Sequence, residues 1–373
     1  METVLLAMSG GVDSSVAAHL LLEAGHRVVG VFMRHGEPSA TACAAPSKGT
    51  AWDLPIVSSR KQGCCSASDA ADARRVADRL DIPFYALDLA EDFGRIMDYF
   101  VDEYSAGRTP NPCVMCNNWV KFGKLWEYAE SVGATHVATG HYAQVIETRN
   151  GWQLQRGRDA DKDQSYVLFG VQRKLLDRML LPVGAFHKSE IRDLAMQLGL
   201  HVAVKPDSQE ICFVETGKHY EFVAERRGAP GVSGEIVTTD GRIVGEHGGI
   251  ERFTIGQRKG LGVAMGEPYF VVQIDPMKHR VVIGRHEDLA CGGLTARWTN
   301  WLTPVPAEPF RCQVQIRYNS GPVSATAEVL AGERLRVVLD APCFGVAPGQ
   351  AVVCYDGPQV LGGGWIESSV PVP

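Results

Sequence analysis

Three cysteines sit where sulfur or metal chemistry could use them. Cys113 and Cys116 form a Cys-x-x-Cys pair inside Ala106-Gly-Arg-Thr-Pro-Asn-Pro-Cys-Val-Met-Cys-Asn-Asn118, and Cys212 follows a polar turn in Asp207-Ser-Gln-Glu-Ile-Cys-Phe213. Pro110 and Pro112 flank Asn111 and force an extended, rigid backbone there, which holds the thiols that follow. The pair's spacing suits a dithiol couple, a metal site or two ligands of an iron–sulfur cluster. A second feature is the string Ser9-Gly10-Gly11-Val12-Asp13-Ser14-Ser15. Its glycines let backbone approach an anion, and helix-end N–H groups with serine hydroxyls can hold it. No Gly-Lys-Ser/Thr follows, so this is not the adenylate-kinase type of phosphate loop. The string also reads as a plain glycine turn capped by Asp13 or Ser14.

These groups need elements to position them. Residues 4–8, 28–33, 84–89 and 136–139 are strand-like; residues 14–24, 93–104 and 120–132 have helical spacing. Ser66-Ala-Ser-Asp69 offers a capping box for a helix reaching Leu80. Such alternation predicts a Rossmann-like parallel sheet with helices on both faces, the catalytic α/β domain of residues 1–213. Between Arg34 and Gly63 the pattern fails; this Ala-, Ser-, Pro- and Gly-rich insertion holds Cys43 and ends near Cys64-Cys65. After about Val214 glycine becomes frequent and strands shorten, to residues 235–238, 269–274 and 281–283, giving a small central domain over 214–288. Alternating runs at 312–318 and 334–339, with a hairpin signal at Asp356-Gly357, predict a C-terminal antiparallel β-barrel over 289–373. Trp298 and Trp301 read as core residues, and Gly256-Gln-Arg-Lys-Gly-Leu-Gly262 as a basic loop that either tracks phosphates or is a surface turn.

A chain of 373 residues, 45% hydrophobic, can bury a large core. Its formal net charge of −6 argues against a general nucleic-acid coat but leaves room for a local basic face. Its ten cysteines do not make a small disulfide scaffold in a chain this long. The first residues show no basic leader, and no apolar run approaches the roughly 20 residues of a membrane helix. The composition reads as cytoplasmic, with no membrane partner, where clustered thiols point to redox, sulfur or metal chemistry.

The string at residues 9–14 resembles the pyrophosphate loop of the N-type ATP pyrophosphatases, which cleave ATP between the α and β phosphates and adenylate a substrate. Ordered matches across all three expected domains narrow the resemblance. They are SGGVDSS at 9–15, AGRTPNP at 106–112, ATGHYA at 138–143, KDQSYVL at 162–168, DSQEICF at 207–213, TIGQRKGLG at 254–262, PGQAVV at 348–353 and LGGG at 361–364. Together they resemble the tRNA-specific 2-thiouridylases, which thiolate the wobble uridine. The resemblance implies that Ala7, Met8, Ser9, Gly10, Gly11, Val12, Asp13, Ser14, Met33 and Gly140 hold ATP, with Mg2+ screening its phosphates. Asn111, Pro112 and Cys113 would border the target base; Cys116 would be the nucleophilic thiol and Cys212 the persulfide carrier. His141, Lys162, Asp163, Gln164, Arg317, Tyr318 and Gln350 would contact the tRNA. Read without the resemblance, the 162–164 segment is a solvated turn, His141 a structural histidine, and Arg317 and Tyr318 strand-end residues.

One departure bears on the chemistry: many members carry aspartate where this chain has Cys113. Cys113 then either serves as a weaker base or joins Cys116 and Cys212 in a [4Fe-4S] cluster with one open iron. Without a cluster, a persulfide on Cys212, charged by a carrier protein or a cysteine desulfurase, would pass sulfur on while Cys116 closes a disulfide. The barrel is expected to position RNA and to do no chemistry. Two other functions fit parts of the sequence: an adenylating synthetase acting on a small carboxylate, and a non-catalytic RNA-binding protein. Neither uses the thiols.

Overall fold

The computed structural model describes residues 1–34, 67–207, 211–214 and 217–372. The expected insertion beyond Arg34, with Cys43, Cys64 and Cys65, lies outside the described residues, as does Ser66 of the expected capping box.

Five strands pair in parallel: β1 (Thr3–Ala7), β2 (Arg27–Arg34), β3 (Phe84–Asp88), β4 (His136–Ala138) and, after a hairpin of β5 (Ala143–Thr148) and β6 (Gly151–Arg156), β7 (Met179–Leu180). Their order is β3-β2-β1-β4-β7. Successive side chains of a strand point to opposite faces, and β1 feeds two cores in that way. Val4 and Leu6 pack with Val16 and Ala17 of α1 (Val12–Glu23), Val76 of α2 (Ala67–Arg79) and residues near the chain's later helices. Leu5 and Ala7 pack with Phe93 and Ile96 of α3 (Ala90–Ser105) on the other face. The sheet is thus buried on both sides, as its near-continuous apolar strands require. The chain steps from β1 to β2 and β3 on one side, then returns to β4 on the other. That reversal opens a crevice at the carboxyl ends of β1 and β4.

The helix expected over 120–132 starts earlier and is not uniform. It runs as α4 (Pro112–Met115), a π-helical stretch (Cys116–Lys124) and α5 (Leu125–Ser131). Pro112 at the first helical position and Asn111, whose Oδ1 accepts from Val114 N at 3.3 Å, start it. Widened π turns recur at functional positions, and this one begins at Cys116. Two further helices, α6 (Lys188–Gln197) and α7 (His219–Arg227), lead into the central domain.

The central sheet joins β8 (Gly234–Thr238), β9 (Ile243–His247), β10 (Phe270–Asp275) and β11 (Arg280–Gly284) in the order β10-β11-β8-β9. The C-terminal strands are β12 (Ala290–Trp301), β13 (Phe310–Gln315), β14 (Val323–Leu330), β15 (Arg334–Phe344), β16 (Ala351–Asp356) and β17 (Gln359–Pro371). A β12–β17 pairing closes them into an antiparallel barrel. Gly357, at φ +55°, turns β16 into β17 at the expected hairpin.

One feature departs from the sequence reading. Trp301 packs against the barrel core as expected, but Trp298 is 51% exposed at φ +51°, its ring covered by the Arg297 guanidinium 4.0 Å away. The barrel packs directly on the α/β domain. Leu302, Ala351, Val353, Tyr355, Val360 and Trp365 share one apolar core with Leu5, Phe93 and Leu125 of the α/β domain. The β5–β6 hairpin extends the barrel sheet through Gln155 and Gln359. Asn300 Nδ2 donates to Phe169 O and Val171 O at 2.7 and 2.9 Å.

Candidate active site

At the carboxyl end of β1 the chain turns sharply into α1. Gly10 has φ +74°, and a Cβ there would lie 2.2 Å from Asp69 O, so only glycine fits. Ser14 Oγ lies 3.2 Å from Ser9 N, and Ser15 Oγ donates to Gly11 O at 2.8 Å, which ties the turn to the helix. Among the described residues, no side chain caps the start of α1. Its first N–H groups are therefore available to an anion, helped by the helix dipole. Across the crevice, Gly140 follows β4 and abuts this turn: a Cβ on it would lie 2.7 Å from Ser14 N. Met33, near the end of β2, packs on the same core.

The turn is set in a lattice of charges. Lys188, with a side chain only 10% exposed, places Nζ 2.7 and 2.8 Å from the two carboxylate oxygens of Asp13 and 2.9 Å from Asp207. Tyr142 OH donates to Asp13 at 2.7 Å. Lys162 and Arg192 bond Asp207 at 3.0 and 2.8 Å. Burial pushes the Asp207 carboxyl up, but Lys188 and Lys162 outweigh it and bring it down to about 2. Lys205 joins Gly10 O, Asp69 and Asp72 on the other side of the turn, at 2.9, 2.6 and 2.7 Å. The arrangement links the phosphate-type turn through Lys188 to Asp207, five residues before Cys212.

The Cys-x-x-Cys segment is held from outside the α/β domain. Gln350 Nε2 donates to Thr109 O and Pro110 O at 3.1 and 3.0 Å, and Thr109 N donates to Pro348 O at 2.8 Å. Arg108 and Glu103 form a bidentate pair at its base. Cys113 is exposed; Cys116 and Cys212 are half-buried and pack against the same core. Burial raises the Tyr318 hydroxyl, and the charges of Asp163 and Cys113 raise it further.

The residues expected to touch RNA divide. Tyr318 is 41% exposed, and Lys162 is half-buried with its ammonium on Asp207. Asp163 is occupied, taking Arg156 Nη1 at 2.8 Å, Gly157 N and Ser165 N at 3.0 Å, and Ser165 Oγ at 2.9 Å. Gln164 Oε1 accepts from Tyr142 N at 2.9 Å. His141 is buried between Thr139 Oγ1 at 2.7 Å and Lys121 Nζ at 3.4 Å; burial, then Lys121, hold its imidazole well below the usual range and neutral. Arg317 Nη2 donates to Ile255 O at 2.8 Å and Gly345 O at 2.5 Å, joining the central domain to the barrel.

The described residues give the cluster reading of the thiols no support: no three His, Cys, Asp or Glu side chains among them gather into a metal-holding group. Cys113 is exposed, whereas Cys116 and Cys212 are half-buried and pack against the core. Sequence reasoning missed Lys188, Tyr142 and Asp207 as site residues. A signal was present for the first: a lysine in the opening turn of a helix, where the dipole disfavours a cation, needs a partner.

A chain with an uncapped glycine turn at a parallel-sheet switch point, coupled to a thiol segment, belongs to the nucleotide-handling class of α/β enzymes. Family models match three successive stretches: a tRNA methyl transferase HUP domain over residues 2–216, a tRNA methyl transferase PRC-barrel domain over 220–285, and an aminomethyltransferase β-barrel domain over 292–366. The tRNA-specific 2-thiouridylase MnmA of Rhodopirellula baltica is 55% identical, over 99% of this chain and 97% of its own. Those of Carboxydothermus hydrogenoformans and Solibacter usitatus are 46% and 45% identical, over 98% of this chain and 98% and 99% of theirs. The chain belongs to the tRNA-specific 2-thiouridylase family.

Proposed function

We propose that the protein replaces the C2 oxygen of the wobble uridine of tRNA with sulfur, at the expense of ATP. The observation that carries this reading is the Lys188 bridge, which ties the phosphate-type turn at Asp13 to the segment leading to Cys212. Residues 7–14, Met33 and Gly140 hold ATP across the crevice. Asp13, which Lys188 and Tyr142 hold at the turn, would be the carboxylate to hold the nucleotide's Mg2+, and the ion would screen phosphate charge.

Uracil C2 is a poor electrophile with a poor leaving group. Its O2 attacks the α phosphorus, the bond to the bridging oxygen breaks, and pyrophosphate leaves. The terminal sulfur of a Cys212 persulfide then attacks C2, and AMP departs with the former O2. Cys116 thiolate attacks the inner sulfur of Cys212; the carbon-bound sulfur is released as thiouridine, and a Cys116–Cys212 disulfide remains. A dithiol reductant resets it, and a carrier protein or cysteine desulfurase recharges Cys212. Asn111 and Pro112 frame the base, with the exposed Cys113 at its edge. Tyr318 and Lys162 are the RNA contacts best exposed for that role; Gln350, Arg317, Asp163, Gln164 and His141 serve it by positioning. The domain limits near 213 and 288 and a cytoplasmic location belong to the same reading; among the described residues no helix is long and apolar enough to cross a membrane.

The test is mass analysis of tRNA after incubation with the protein, ATP, Mg2+ and a persulfide donor, with and without iron reconstitution. A 16 Da gain on the wobble uridine, lost in Cys116→Ser and Cys212→Ser and equal without iron, is expected. (That mass is sulfur for oxygen, about 32 minus about 16, the element change the proposed transfer makes.) No gain, with tRNA bound and ATP present, would overturn the reading.

A further inference from the structure

We infer that Arg258 and Lys259, in the central-domain loop Gly256–Gly262, form a clamp for the phosphodiester backbone of the bound RNA; the inference rests on the reading of the substrate given above. The loop is built to hold its shape. Gly256 N donates to Val271 O at 2.8 Å and Val271 N to Gln257 O at 2.9 Å. The Gln257 side chain closes the turn on itself, accepting from Thr254 N at 3.0 Å and donating to Lys259 O at 3.0 Å. Arg317, from the barrel, spends its guanidinium on Ile255 O, immediately before the loop. Burial holds that guanidinium below its ordinary range, so a costly buried cation is committed to fixing where the loop sits.

The cations the loop carries are placed differently. Arg258 and Lys259 are both exposed. Two other arginines of the central domain are paired: Arg285 with Glu267 at 2.8 Å and Arg280 with Glu235 at 2.6 Å. Among the described residues, no carboxylate lies within ion-pair distance of Arg258 or Lys259. In a chain of net charge −6, two adjacent unneutralised cations on a fixed turn are a local positive site of the kind a polyanion needs. Beside Arg258 opens a cavity of about 390 Å3, also lined by Leu261, Met265, Tyr269 and Glu267, the last already paired with Arg285. Gly256 adjoins Arg317, and the ring of the next residue, Tyr318, lies 6.3 Å from that of Tyr166. The loop therefore adjoins the barrel turn that carries Tyr318, the exposed residue assigned to the RNA in the reading above. Backbone contacts set position and affinity and carry no sequence information.

The experiment measures tRNA affinity against salt for the full chain, for Arg258→Gln/Lys259→Gln, and for Arg311→Gln/Arg334→Gln, which removes two exposed barrel cations already paired with Asp340 and Glu367. Losing two phosphate contacts should flatten the plot of log Kd against log salt by about 1.5 and weaken binding roughly tenfold at moderate salt. The barrel control should leave the slope within error. ATP affinity, measured on the same samples, should be unchanged in both variants. An unchanged slope in the loop variant, or an equal change in the control, overturns the clamp. Wild-type thiolation is followed in parallel: its absence would count against the proposed reaction, while the slope comparison still decides the clamp by binding alone.

Discussion

The crevice has two ends, and they are held by different forces. At the phosphate-type turn the chain uses charge: Asp13, Lys188, Asp207, Lys162 and Arg192 neutralise one another within residues 13–207. At the thiol segment one ion pair, Arg108–Glu103, stands at the base, and the backbone beyond it is held by neutral hydrogen bonds from the barrel, through Gln350 and Pro348. Charge lattices rearrange when another charge arrives, as a nucleotide would bring. Amide bonds do not respond to charge in that way, and keep a reactive segment in place while its neighbours change. The difference suggests why the barrel is needed near the chemistry as well as for gripping RNA.

The largest effect should come from removing the barrel. A barrel that only positioned RNA could be deleted, residues 289–373, with far more harm to tRNA binding than to ATP binding. The shared core argues otherwise, because Tyr355, Val353 and Trp365 pack with Leu5 and Phe93. Each large buried side chain lost costs about 2–5 kcal/mol, against a total stability of about 5–15 kcal/mol. The truncated chain is expected to lose its cooperative thermal transition and its ATP affinity together. A folded truncation that still binds ATP would show the two ends to be separable.

Next comes the lattice. Asp13→Ala should abolish thiolation, and Lys188→Met should reduce it about a hundredfold or more, because two carboxylates then face each other across the turn. Lys188→Arg should recover part of the rate. Both variants should still melt cooperatively, and pyrophosphate release measured with tRNA present should fall in parallel with thiolation. Normal pyrophosphate release with lost thiolation in Lys188→Met would move the lysine from the nucleotide step to the sulfur step.

A milder effect is expected at the other end. Gln350→Ala removes two hydrogen bonds, worth about 1–3 kcal/mol together, from the backbone of Thr109 and Pro110. Thiolation should fall roughly tenfold with ATP affinity unchanged. Equal loss of ATP affinity would mean that the two ends are coupled more tightly than their contacts suggest.

What could be read beforehand follows the same division. The glycine turn was legible because its residues are contiguous and sit between a strand and a helix. The parallel sheet was legible from apolar runs buried on both faces. Lys188 was not, since its partner Asp13 lies 175 residues away, and Gln350 reaches Thr109 across 241 residues. Gln350 was singled out through resemblance alone, as an RNA contact, whereas its amide is directed at the thiol segment. The β5–β6 hairpin went unread although Asn150-Gly151 stands between two alternating runs, a strong hairpin signal. Trp298 was read as core because burial is the usual fate of tryptophan; a left-handed backbone turns it outward instead.

The smallest effect separates the two forces directly, by pH. The Asp207 carboxyl is lowered from 3.8 to about 2 in the folded protein, so the unfolded chain binds a proton more readily. Its contribution to stability is fully present above about pH 4 and is lost as pH falls through about 2. Asp207→Asn lacks that contribution at every pH. The gap in Tm between wild type and Asp207→Asn should therefore be constant from neutral pH down to about 4, then narrow as pH falls toward 2. The Gln350→Ala deficit arises from bonds between an uncharged amide and two carbonyls, so the gap it produces should stay flat over the same range. Thermal melts of the three proteins across pH 2–7 test both expectations at once. A flat Asp207→Asn gap would remove the electrostatic account of the nucleotide end, and a Gln350→Ala gap that closes in acid would show that the thiol end rests on charge as well.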